Sequence, residues 1–66
     1  MEYGESLKEH RVSRGKTLKE LAKETGLSFQ NLSRWERNEV TPSVESCAIL
    51  AQYYDITIDE LIGLKN

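Results

Sequence analysis

The stretch from Leu18 to Arg37, LKELAKETGLSFQNLSRWER, constrains this chain more than any other. It places Ala22, Gly26 and Leu32 at offsets of 4, 8 and 14 residues from its first leucine. A small residue at position 22 lets a second helix cross the first closely, and Gly26 can take the positive φ of a tight turn. The spacing therefore predicts two short helices joined by a turn, the arrangement of a helix-turn-helix motif.

Capping signals divide the whole chain into helices. Two capping boxes, Thr17-x-x-Glu20 and Thr57-x-x-Glu60, predict helix starts, and Ser28 is a further good N-cap. Ser43 is a fourth cap, and glycines supply the stops. The predicted helices span about 5–14, 17–25, 29–37, 44–54 and 57–62. Because no segment alternates like a strand, we expect an all-α fold, a compact five-helix domain with the helix-turn-helix at helices 2 and 3.

Apolar residues at helical spacing predict which faces are buried. On helix 3, Leu32 and Trp35 lie three residues apart, and a helical wheel turns them inward together with Asn31. Helix 4 carries a longer stripe, and helix 5 closes the base of the core. The predicted stripes of these two helices are Val44, Cys47, Leu50, Ala51 and Tyr54, and Ile58, Leu61 and Ile62.

Length and composition exclude several classes of protein. Sixty-six residues make a single domain, 1–66, with a small core. The lone cysteine, Cys47, cannot form an internal disulfide, so we expect a reducing, cytoplasmic location. No metal-ligand spacing, phosphate-binding loop, nucleophile–base pair or membrane-length apolar run is present in the sequence. We therefore expect no enzyme activity, no metal and no cofactor.

Charge is distributed unevenly along the chain, although the formal net charge is −2. Residues 8–37 hold eight lysines and arginines against four glutamates, whereas residues 38–66 hold one lysine against five acidic residues. The basic half contains the predicted helix-turn-helix. A molecule polarised in this way favours a polyanionic partner on the basic side, and we expect that partner to be double-stranded DNA.

Residues 5–62 resemble the Cro and phage-repressor (Xre-like) family of helix-turn-helix DNA-binding domains. The matching stretches are T-L-K-E-L-A at 17–22, G-L-S at 26–28, L-S-R-W-E at 32–36, T-P-S at 41–43 and I-D-E-L-I at 58–62. The resemblance implies a recognition role for helix 3 and a homodimer bound to a palindromic operator. It also implies an internal ion pair between Arg11 and Glu36, which would tie helix 1 to the end of helix 3.

The outward side of helix 3 supplies the candidate base contacts. Gln30 can bond adenine through two hydrogen bonds, and Arg34 can do the same with guanine. Ser28 sits at a helix N-terminus, whose free N–H groups suit a phosphate. The complete predicted DNA-binding set is Thr17, Ser28, Phe29, Gln30, Ser33, Arg34, Arg37 and Asn38.

Four positions depart from the family pattern. Leu18 and Phe29 are apolar where relatives commonly carry a pair of glutamines, so a polar pair is replaced by an apolar contact. Phe29 then either offers its ring to a thymine methyl or packs on the protein and reads nothing. His10 and Lys16 stand where leucine is usual. We expect a hydrogen-bonded, partly buried histidine and a lysine that buries only its stem.

The leading interpretation is a sequence-specific DNA-binding transcriptional regulator, a repressor. The alternative is an antitoxin or other protein-interaction module on the same fold. It rests on Ile49 and Tyr53, which lie four residues apart on helix 4 and could form an exposed apolar patch. The same half of the chain provides the candidate homodimer contacts, which are Ile49, Tyr53, Ile58, Leu61 and Leu64.

Overall fold

A computed structural model describes residues 3–64, which form five α-helices. The helices are α1 (Tyr3–Ser13), α2 (Leu18–Thr25), α3 (Phe29–Glu36), α4 (Val44–Tyr54) and α5 (Ile58–Ile62). No strand occurs within residues 3–64, so the predicted all-α, five-helix fold is confirmed. None of the helices in this range is long and apolar enough to cross a membrane.

The ends of α2 and α3 are set by their caps, as the sequence predicts. The Thr17 hydroxyl accepts the Glu20 N–H at 3.1 Å, and the Glu20 carboxylate accepts the Thr17 N–H at 3.0 Å. Gly26 ends α2 in the left-handed conformation, with φ 78°. Ser28 then caps α3 by accepting the Asn31 N–H at 3.3 Å. The turn between the two helices is therefore fixed by local chemistry.

Helix α1 begins at Tyr3, about two residues earlier than the sequence predicts. Its first turn is satisfied from elsewhere in the chain, because the Gly4 N–H donates to the side-chain oxygen of Asn38 at 2.9 Å. A Cβ on Gly4 would lie 2.5 Å from the backbone oxygen of Glu36, so only glycine allows this approach. The start of α1 is thus packed directly against the end of α3.

Within the described range, 3–64, the core lies between the helices and contains nine buried apolar side chains. Leu21 and Leu50 are almost completely enclosed, and Leu61 is 0% exposed. Leu32 and Trp35 connect this core to the inner side of α3. The remaining members are Leu7, Cys47, Ala51 and Tyr54.

Three predicted inward positions are wrong, those of Val44, Asn31 and Ile58. Val44 is 77% exposed, because it begins α4 and the buried positions of that helix start one turn later, at Cys47. Asn31 is exposed, because the eight residues of α3 bury only Leu32 and Trp35, a stripe too narrow to include their neighbour. Ile58 is also partly open to solvent, as the first residue of α5.

Candidate nucleic-acid interface

The outer side of α3 presents polar and basic side chains to solvent. Gln30, Asn31 and Arg34 are exposed, and Ser33 is half-buried. The one acidic residue of the helix, Glu36, points away from this surface, and its side chain is only 8% exposed. The exposed side of α3 therefore carries no carboxylate to repel a polyanion.

Glu36 is held by Arg11 of α1. The Arg11 Nε donates to Glu36 Oε2 at 2.7 Å, and Nη2 donates to Oε1 at 2.9 Å. A third guanidinium nitrogen, Nη1, donates to the backbone oxygen of Lys16 at 2.8 Å. The hydrogen bonds to Glu36 raise the pKa of Arg11, so the guanidinium stays charged. This bidentate geometry fixes the orientation of α3 relative to α1.

Asn38 contacts the start of α1, a role that sequence interpretation missed. Its backbone takes the left-handed conformation, with φ 60°, just beyond the end of α3. Its side-chain oxygen accepts the Gly4 N–H, so it also satisfies the start of α1. We therefore assign Asn38 to the junction of two helices, and this engaged side chain is a poorer candidate for DNA than its position in the sequence suggested.

Arg37 and Arg34 differ in their surroundings. The Arg37 guanidinium lies 3.0 Å from the Glu39 carboxylate, and its Nε donates to the Ser33 backbone oxygen at 3.3 Å. Among residues 3–64, no carboxylate lies within ion-pair distance of Arg34. Arg34 is thus the cation of α3 whose charge is available to a base or phosphate.

The caps of α2 and α3 are Thr17 and Ser28, two residues of the predicted DNA-binding set. The hydroxyl groups of Thr17 and Ser28 each accept one backbone N–H of the following turn. The first N–H groups of a helix have no partner inside the helix and can bind a phosphate oxygen. Both residues are exposed, so a DNA backbone could reach them.

The two apolar departures from the family pattern, Leu18 and Phe29, differ in how far they are exposed to solvent. Leu18 is half-buried and packs against the core, whereas Phe29 is 43% exposed.

Lys16 is half-buried and reaches Glu24 with its Nζ at 3.2 Å, so its ammonium stays at the surface. His10 is half-buried, and its Nε2 lies 2.9 Å from the Glu60 backbone oxygen. A carbonyl only accepts, so this nitrogen carries the proton.

The predicted apolar patch on α4 is smaller than expected. The Tyr53 hydroxyl donates to the Glu24 carboxylate, and this hydrogen bond, with that from Lys16, lowers the pKa of Glu24. Tyr53 is therefore tied to α2, and Ile49 is left as an exposed apolar residue on its own. Single exposed apolar side chains are ordinary, so the observation behind the antitoxin alternative is weakened.

A family model described as helix-turn-helix matches residues 7–61, which include every helix of the motif and the Arg11–Glu36 pair. The chain belongs to this helix-turn-helix family. The predicted resemblance is thereby confirmed. No solved structure gives a significant match to the chain.

Named relatives within the helix-turn-helix family are regulators of transcription. Over 63 residues the chain is 32% identical to the HTH-type transcriptional activator BcrR of Enterococcus faecalis, covering 96% of the chain and 31% of that protein. It is 35% identical to the HTH-type transcriptional regulator ImmR of Bacillus subtilis, covering 96% and 50%. It is 33% identical to the cryptic phage CTXphi transcriptional repressor RstR of Vibrio cholerae, covering 96% and 56%. The chain thus spans about a third to just over half the length of these relatives.

One of the predicted dimer contacts of this helix-turn-helix domain, Leu61, is wrong. Leu61 is fully buried in the core, so it cannot touch a partner. Ile58 and Leu64 are exposed, and Ile58 adjoins the very exposed Val44. Val44 and Ile58 line an apolar hollow of about 220 Å³, here called the Val44 face. Its other lining residues are Tyr3, Thr41, Pro42, Cys47 and Ile62.

Proposed function

We propose that this chain is a sequence-specific DNA-binding transcriptional regulator, a repressor, that inserts α3 into the major groove. One observation carries the proposal: α3 exposes Gln30 and Arg34 while its one carboxylate, that of Glu36, is turned inward to Arg11. A helix with that surface is neutral to basic where it would meet DNA. The helix-turn-helix family and the names of its regulators support the same conclusion.

Each exposed residue of the motif has a defined chemical role in this proposal. Gln30 accepts a hydrogen bond from N6 of an adenine and donates one to N7. Arg34 donates one hydrogen bond to O6 and one to N7 of a guanine. Thr17 and Ser28, at the helix starts, hold phosphates and so set the depth and register of α3. Repression follows from occupancy alone, because a protein seated on a promoter blocks access to it.

A single recognition helix reads only a few base pairs, which is too little for selection of one site in a genome. We therefore propose a homodimer on a palindromic operator, working in the cytoplasm where the chromosome lies. The Val44 face is the surface we assign to the dimer contact. It is apolar, and two of its lining residues, Tyr3 and Thr41, are joined by a hydrogen bond between the start of α1 and the loop that follows α3.

Selection of bound duplexes from a random pool tests this function directly. The expected result is an enriched sequence with two inverted half-sites, each containing an adenine and a guanine in the major groove. Binding without any enrichment would contradict sequence-specific regulation. In that case, co-purification of a stoichiometric protein partner would instead favour the antitoxin or interaction-module alternative.

A further inference from the structure

Phe29 differs from every other large apolar side chain of the helix-turn-helix motif. It is 43% exposed, and within residues 3–64 it belongs neither to the buried core nor to the apolar side chains packed against that core. The other large apolar residues of the motif do belong to those groups, and they are Leu18, Leu21, Leu27, Leu32 and Trp35. The phenyl ring is therefore separate from the core that the other apolar residues of the motif form.

Phe29 is exposed on the part of the motif that would meet DNA. It is the first residue of α3, directly before the exposed Gln30 and at the edge of the surface that carries Arg34. Exposed apolar residues elsewhere, such as Ile49 on α4, lie outside the motif. Among the residues placed to meet a DNA groove, Phe29 is the one whose side chain cannot form a hydrogen bond.

The major groove offers such a side chain a specific target. Base edges there are hydrogen-bond donors and acceptors, with one apolar exception, the C5 methyl group of thymine. An aromatic ring that covers this methyl group removes apolar surface of both partners from water. A cytosine at the same place presents an amino group and no methyl, so the ring discriminates between the two pyrimidines.

We propose that Phe29 reads the C5 methyl group of a thymine, next to the base pair contacted by Gln30. This inference rests on the proposed DNA-binding function and adds a specificity-determining residue to it. It resolves the two roles that the sequence left open for Phe29 in favour of base reading. Thymine recognition by contact with an apolar ring would replace hydrogen bonding at this position of the recognition helix.

Replacement of thymine by uracil tests the proposal, because it deletes the methyl group and leaves the base pair intact. Each thymine of the selected site is replaced in turn, and affinity is measured for the parent protein, Phe29→Ala and Val12→Ala, which changes an exposed apolar residue of α1 outside the motif. The parent and Val12→Ala should lose about fourfold in affinity at one thymine of each half-site, the factor expected for one buried methyl group. Phe29→Ala should bind the thymine and uracil duplexes equally.

Three outcomes overturn the proposal. The parent protein could be insensitive to uracil at every position, or Phe29→Ala could keep the full sensitivity of the parent. Failure to enrich any site in the selection would overturn the proposed function and this inference together, whereas an enriched site without uracil sensitivity overturns the role of Phe29 alone. Thermal unfolding of Phe29→Ala provides the folding control, and an exposed side chain should leave the melting temperature nearly unchanged.

Discussion

Arg11 and Glu36, 25 residues apart in the chain, are joined by two hydrogen bonds of 2.7 and 2.9 Å with their side chains only 12% and 8% exposed. The pair lies between α1 and the last residue of α3. Two parallel bonds restrict both the distance and the angle between the helices. We therefore attribute the orientation of the recognition helix in large part to this contact.

Glu36→Ala should destabilise the fold by about 3–5 kcal/mol, because it leaves the Arg11 guanidinium largely buried without its partner. That loss is a large share of the stability of a small domain. Urea unfolding measures it. An unchanged free energy of unfolding would show that water replaces Glu36 at no cost.

Glu39→Ala is the matched control for the same chemistry at the surface. Glu39 pairs with Arg37 at 3.0 Å, but both side chains are about half exposed. Exposed ion pairs contribute at most about 1 kcal/mol, so this variant should unfold almost like the parent. A comparable loss in both variants would mean that the burial of Arg11 and Glu36 is not what makes their pair strong.

The sequence predicts the helices well because most of their ends are determined by capping residues that are adjacent in the chain. Four helices begin at the residues predicted to cap them, Thr17, Ser28, Ser43 and Thr57. Helix α5 also ends at a glycine, Gly63, as predicted. The start of α1 was missed because Gly4 is capped by Asn38, 34 residues away. No local pattern can show a cap that comes from a distant part of the chain.

The candidate site is less predictable, because exposure depends on where the core ends. Val44 and Leu61 are both apolar residues at helical spacing, yet one is open to solvent and the other is enclosed. A helical wheel also cannot show that Tyr53 bonds to Glu24 on another helix. The direction of the outer surface of α3 was predictable from Leu32 and Trp35, whereas the surface for a partner was not.

Arg34→Ala should cost about 1–3 kcal/mol of binding free energy on the selected site and relax the preference at one base pair. The reason is that Arg34 is exposed on α3 and no carboxylate among residues 3–64 lies within ion-pair distance of it. Arg37→Ala is the comparison, since Arg37 is already paired with Glu39. Titration of both variants against selected and random duplexes distinguishes a base contact from a phosphate contact. An equal loss on both duplexes would make Arg34 a phosphate contact.

Tyr54→Phe should change the stability of the protein mainly at alkaline pH. Burial raises the pKa of Tyr54 to about 12, whereas an unfolded tyrosine titrates near pH 10. The unfolded state therefore loses its proton first, so this contribution to stability is complete below about pH 10 and falls as pH rises toward 12. Phenylalanine cannot ionise, and the decline assigned to this residue should disappear when unfolding is measured across that range.

The same substitution tests the packing of Tyr54 at neutral pH. Its hydroxyl is buried and has no hydrogen-bond partner among residues 3–64, while its ring packs beneath the Arg14 guanidinium at 4.4 Å. Phenylalanine keeps the ring contact and removes the unpaired polar atom, so stability should stay within about 1 kcal/mol of the parent, on the favourable side. A larger loss would reveal a bound partner for the hydroxyl.

Val44→Glu should disrupt the proposed dimer without unfolding the domain. Val44 is 77% exposed, so a carboxylate there stays hydrated in the monomer, but a dimer contact through the Val44 face would remove that charge from water. The variant should bind single half-sites like the parent and lose most of the added affinity for the palindrome.

Ile49→Glu, at an exposed position of α4 outside the Val44 face, should behave like the parent in both assays. The opposite pattern, with Ile49→Glu impaired and Val44→Glu unaffected, would move the contact to the outer side of α4. A parent protein that binds half-sites as tightly as palindromes would remove the dimer altogether.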